Sequence, residues 1–213
     1  MPSIGREVVT IGQGVRTAQT AAAAVPAGRL YGNDPLQAAG PNWQPLPGGQ
    51  AIEEALLRMQ AQGRLKDCRY LHFGVHGNLS TSDPALSGVV LSQRNLALGT
   101  DGYITAAEWP NCDLRSDLTV LSAGETGLGR QVSGEGVLGL PFALFVAGNV
   151  NTVLSLWPVD DETTAEFMKA FFGRLKDGAT ASQALAATKR EFALHPRSNL
   201  LSFWAPFILV GAG

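Results

Sequence analysis

The chain has 213 residues, 45% of them hydrophobic and 16% charged, and its 16 basic and 18 acidic side chains leave a formal charge of -2. Neither sign forms a long run, so there is no electrostatic footprint for nucleic acid or an anionic membrane, and two cysteines, Cys68 and Cys112, are too few for a disulfide framework. The longest apolar stretch, 136–150, contains Pro141 and falls short of the roughly 20 residues that span a bilayer, and nothing at the start resembles a signal peptide, so one soluble, cytoplasmic α/β domain is expected.

In chain order, residues 7–11 read as a strand and 15–25 as an Ala-rich helix that ends before Pro26, because the residue preceding proline resists the helical region. A second short strand and turn is read at 29–35. The next stretch, to Gly49, carries Pro35, Pro41, Pro45 and Pro47 and reads as a loop. Residues 51–62 place Ile52, Ala55, Leu56 and Met59 at helical spacing ahead of Gly63. Residues 70–75 form a compact apolar run without helix caps, a central strand with His76 and Gly77 at its tip, and 86–92 reads as a shorter strand.

Thr105 followed by Glu108 is a capping-box pattern that predicts a short helix. Residues 118–122 make the second central strand, and four glycines follow within 123–134, where the backbone must turn tightly or approach a ligand. Residues 136–147 read as a nearly all-apolar helix buried between layers, and 152–157 as a strand leading into Asp160 and Asp161. From Asp161 a helix buries Met168, Phe171, Phe172 and Leu175 and stops at Gly178; Thr180 and Gln183 cap another that runs to about Leu194, and 206–211 is a final strand. Strands alternating with helices argue for a three-layer α/β/α sandwich with a mostly parallel central sheet.

Two glycine motifs fail their structural tests. Gly134-Glu-Gly-Val-Leu-Gly139 has dinucleotide spacing but lies a dozen residues beyond its strand, and Gly129 to Gly134 has phosphate-loop spacing but is followed by Glu135 where a lysine belongs. No His and Cys set has metal-ligand spacing, so no metal and no cofactor is expected. His76, at a strand end beside Gly77, can reach a substrate; His72, along a strand, and His195, before Pro196, are read as structural.

Leu71-His-Phe-Gly-Val-His-Gly77, residues 101–108, Val120-Leu-Ser-Ala-Gly-Glu-Thr-Gly127, Gly134-Glu-Gly136, residues 155–161 and residues 204–211 together resemble the successive blocks of the CHAT domain, a caspase-like module related to separase. The resemblance covers roughly 45–211; residues 1–44 are read as an extension or the first part of the fold. It implies a caspase-hemoglobinase fold carrying a Cys/His dyad on the tips of adjacent strands, in which a thiolate attacks a peptide carbonyl, the histidine manages protons and backbone amides hold the oxyanion. The histidine maps onto His76, and the amides of Gly77 and position 124 onto the oxyanion hole. The family nucleophile maps onto position 124, which is Gly124 here, 48 residues after His76, in line with the spacing of about 50 in caspases.

Ser122 and Thr126 are weak substitutes because neither hydroxyl has a thiol's low pKa. Asp160 and Asp161 resemble the separase loop that holds a basic P1 side chain, or they favour the N-terminus of the following helix; Asp160 is the preferred pocket residue. Glu125 either helps to position substrate or is a structural hydrogen bonder. The expected function is that of a CHAT pseudopeptidase binding a peptide or protein in the old substrate groove. The alternatives are an active peptidase whose Cys has been replaced, and an interaction module of a larger protein.

Overall fold

The computed structural model describes residues 7–12, 43–47, 52–78, 80, 82–93, 96–122, 135–157, 159, 161–196 and 198–213. The expected helix at 15–25 and strand at 29–35 lie outside them. The described strands are β1 (Glu7–Gly12), β2 (Trp43–Pro47), β3 (Cys68–Gly74), β4 (His76–Asn78), β5 (Gly88–Val90), β6 (Tyr103–Thr105), β7 (Leu118–Leu121), β8 (Asn151–Ser155) and β9 (Phe207–Gly211). The helices are α1 (Glu53–Ala61), α2 (Glu135–Val146), α3 (Asp161–Lys176), α4 (Ala181–Leu194) and the single turn α5 (Leu201–Trp204).

Six strands form one sheet in the order β2-β1-β3-β7-β8-β9, parallel throughout except for β9, which runs antiparallel to β8. Side chains of β3, β7 and β8 feed a core on either face. Leu71 and Phe73 of β3, Leu121 of β7 and Leu154 of β8 join Leu56 and Met59 of α1 and Leu140 and Leu144 of α2. Leu118 and Val120 of β7 and Val153 of β8 face Phe167, Met168, Phe171 and Phe172 of α3 and Ala184 and Leu185 of α4. These are the three layers of an α/β/α sandwich. Arg174 of α3 ties the second helical layer together by donating to Thr188 (3.3 Å) and to Glu191 of α4, and α4 opens with the expected capping box between Thr180 and Gln183.

Three sequence expectations need correction. The proline-bearing stretch before Gly49 is not all loop, because Trp43–Pro47 is the outermost strand, paired in parallel with β1. Proline is tolerated there because the open side of an edge strand needs no donor, and positions 45 and 47, two apart, share a side. The Thr105 and Glu108 pattern does not start an α-helix: the Glu108 carboxylate accepts from the Thr105 amide and hydroxyl, both at 2.8 Å, but closes only a turn and a 3₁₀ segment, Trp109–Asn111, that contains Pro110. Finally, α2 is not enclosed. Leu140, Ala143 and Leu144 are buried, whereas Phe142 and Phe145 are 67% and 65% exposed, since only one face of the helix meets the sheet.

Gly88 and Gly148 are two of the described glycines that close backbone approach demands. A Cβ on Gly88 would lie 2.3 Å from the Ile104 carbonyl oxygen across the β5/β6 pair, and one on Gly148, at φ +100, would lie 2.0 Å from the Leu114 carbonyl oxygen. Gly178 shares the left-handed backbone, at φ +93, but faces open space. Gly178→Ala is therefore expected to cost about 1 kcal/mol from backbone alone. Gly148→Ala adds a clash and costs on the order of 3 kcal/mol, an ordering that urea denaturation of the two variants measures directly.

Candidate functional site

Because β3 and β7 are adjacent and parallel, in the register Tyr70↔Leu118 to Phe73↔Leu121, their carboxyl ends emerge at one edge of the sheet, the edge where open α/β sheets bind ligands. His76 lies two residues past the end of β3 and position 124 three past the end of β7. The edge at which the chain leaves β3 for His76 is thus also the edge at which β7 ends.

His76 is exposed. It does not simply cap β3, because the chain continues through it into a small antiparallel sheet, β4-β5-β6, in which His76 pairs with Val90 and Gly77 with Val89. Val89, Leu91 and Ile104 are buried in the core below, so the small sheet holds His76 on a rigid element and leaves its side chain open to solvent. Gly77 is part-buried between His76 and Asn78. Gly124, Glu125, Thr126 and Asp160 lie outside the described residues. Asp161 is the first residue of α3, exposed and followed by Glu162 in the first turn, where two acids favour the helix's positive end.

A feature that the sequence reading missed lies one step inside the edge. His72 and Ser122 project from the same face of neighbouring strands, and Nε2 of His72 is 2.7 Å from Oγ of Ser122. The His72 ring packs against Phe172, with centroids 5.6 Å apart, and its Nδ1 is buried without a hydrogen-bond partner. Burial with no opposing carboxylate holds its pKa down to about 4, so the ring is neutral at physiological pH. Alternation alone contained the signal, because once the two strands are paired in parallel, His72 and Ser122 fall on one side.

Neither thiol occupies the edge. Cys68 begins β3, at the end opposite His76, where its buried thiol donates to the Arg64 carbonyl at 3.3 Å. Cys112 precedes β7, and burial, with Glu108 nearby, pushes its thiol up to about 11, which disfavours the nucleophilic thiolate. Among the described residues no group of three or more His, Cys, Asp or Glu side chains is placed to hold a metal ion. No described helix is long and apolar enough to cross a membrane.

A mostly parallel sheet between two helical layers, with a histidine carried just beyond a central strand, defines an α/β/α sandwich consistent with the caspase-like class. The chain matches the CHAT domain family over residues 9–212 and belongs to it. It is also similar to Tetratricopeptide repeat protein 28 of Mus musculus and of Homo sapiens, 31% identical to each over 109 residues. That match covers 51% of this chain and 4% of each relative's length.

The environment of His72 has a measurable consequence. Its folded pKa, about 4, lies below the ordinary histidine value of 6.5, so between those values the unfolded chain binds the extra proton. The stabilisation is present above pH 6.5 and is lost as pH falls through the folded value, on the order of 3 kcal/mol in all. His72→Gln is expected to flatten the fall in stability between pH 6.5 and 5, which denaturant midpoints across that window will show.

Proposed function

We propose that this CHAT domain binds an extended peptide or a protein partner at the sheet edge where β3 and β7 end, and does so without covalent catalysis. The observation that carries the reading is the fate of sulfur in this chain. Gly124 stands where the resemblance puts the family nucleophile, Cys68 and Cys112 are the only cysteines, and they are respectively buried at the far end of β3 and held protonated. His76, onto which the resemblance maps the family histidine, lies on a strand with its side chain exposed.

Within this reading His76 and the Gly77 amide contact the bound backbone instead of managing a reaction. Asp160, with Asp161 beside it, supplies a carboxylate for an Arg or Lys side chain through a charge-assisted bond, and Glu125 lies next to the vacated position. The likeness to part of a tetratricopeptide protein supports a role in protein interaction. A second reading, a purely non-catalytic interaction module, draws on α2, where Phe142, Phe145 and Val146 are more than half exposed, as docking surfaces often are.

Restoring the sulfur tests the groove. Gly124→Cys is expected to cleave Arg- or Lys-containing peptides, and a further His76→Ala change to abolish that cleavage. The unaltered chain is expected to bind the same peptides, with affinity reduced roughly tenfold or more by Asp160→Asn, the order of effect of losing one charge-assisted hydrogen bond. Absence of both cleavage by Gly124→Cys and peptide binding by the unaltered chain would overturn the groove reading and leave the interaction module.

A further inference from the structure

We propose that His72 and Ser122 form a positioning pair that locks the carboxyl end of β7 onto β3, and so fixes where the chain departs from the sheet toward position 124 relative to His76. The inference rests on the reading of that edge given above; His72, Ser122 and His76 are described residues, and position 124 is not.

The last ladder pair between the two strands is Phe73↔Leu121. Ser122 lies one residue past it, yet is held twice: its amide donates to the Phe73 carbonyl at 3.0 Å, and its hydroxyl meets His72 Nε2 at 2.7 Å. The side-chain bond runs diagonally between strands and crosses beside Gly74, where even a Cβ would lie within 3.8 Å of His72 Cε1 and 3.9 Å of Ser122 Oγ. A larger side chain at 74 would crowd the diagonal. His72 is itself immobilised by the aromatic wall of Phe172, so the serine is tied to a fixed point in the second core and not to a mobile surface group.

The pair is not a serine nucleophile with its base. Moving the Ser122 proton to Nε2 would create an imidazolium in an apolar site, where the other ring nitrogen already lacks a partner, and burial strongly disfavours that charge. Among the described residues no third group orients the ring as a hydrolytic base requires. What the bond does supply is geometry. Position 124 is two residues beyond Ser122, and His76 is four residues beyond His72 on the same strand path, so one hydrogen bond sets the separation of both arms near their roots.

The test uses the full chain with a reporter thiol. In Gly124→Cys, alkylation of the introduced thiol by iodoacetamide is followed against pH by peptide mapping, and amide hydrogen exchange is followed in the same protein. The thiol is expected to titrate below the ordinary value of about 8.5. Adding Ser122→Ala should move its midpoint back toward that value and speed exchange of the residue-122 amide about tenfold, with β8 and α4 unaffected. Ser122→Thr, which keeps the hydroxyl, should restore both. If Ser122→Ala changes neither the midpoint nor the exchange, the positioning pair is wrong. If the reporter thiol titrates normally even beside an intact Ser122, the failure belongs to the proposed alignment of position 124 with His76; exchange then decides the pair alone, local acceleration upholding it and unchanged protection overturning it.

Discussion

The parallel pairing of β3 with β7 is the contact on which the rest of the molecule depends. Its register assigns Leu71, Phe73 and Leu121 to one core and His72, Leu118 and Val120 to the other face. A slip of one residue would exchange the faces, driving the wholly buried Phe73 out of its contact with Trp109, where the rings meet edge to face at 5.5 Å, and turning the His72 imidazole toward the α1 and α2 side. Each large apolar side chain so displaced would forfeit about 1.5–3 kcal/mol. The same register aligns the two strand ends, so the constraint that seals two cores also decides which residues share an edge.

The small sheet extends that constraint outward. β3 passes almost directly into β4, separated from it only by Val75, and β5 and β6 hold β4 from the side. The Glu53 carboxylate at the start of α1 accepts from the Asp101 and Gly102 amides at 2.8 and 2.9 Å, pinning the approach to β6. At the other end of the central strands, Asn149 gathers Ser116, Thr119 and Thr152 into a buried and internally satisfied set of hydrogen bonds. That buried polar set lies where β7 and β8 begin, at the end of the sheet opposite the one where β3 and β7 finish.

Much of this was legible in the residues. The apolar runs at 70–75 and 118–122 named the central strands, the helical spacing of Met168, Phe171, Phe172 and Leu175 named the inner face of α3, and the succession of family blocks named the domain. Local patterns misled where tertiary context outweighed them. Prolines 45 and 47 signal a loop only until an edge place is available, the Thr105 and Glu108 pair makes its bonds without a helix to cap because Pro110 follows, and the hydrophobicity of α2 says nothing of how many sides have neighbours. The bond between His72 and Ser122 was invisible for a different reason, since it joins residues 50 apart and exists only after the register is set. The acids at Asp161 and Glu162 mark a helix start in the sequence, and α3 begins there.

The two margins of the large sheet are unlike each other. On one side β2 carries Pro45 and Pro47, which cannot donate to an added strand; on the other, β9 reads Phe-Ile-Leu-Val-Gly and contains neither proline nor charge. Soluble proteins commonly protect a margin with proline, lysine or a bulge, and among the described strands only β2 does so. The two margins therefore differ in what an added strand would meet: missing donors at β2, and at β9 a composition that carries no such barrier.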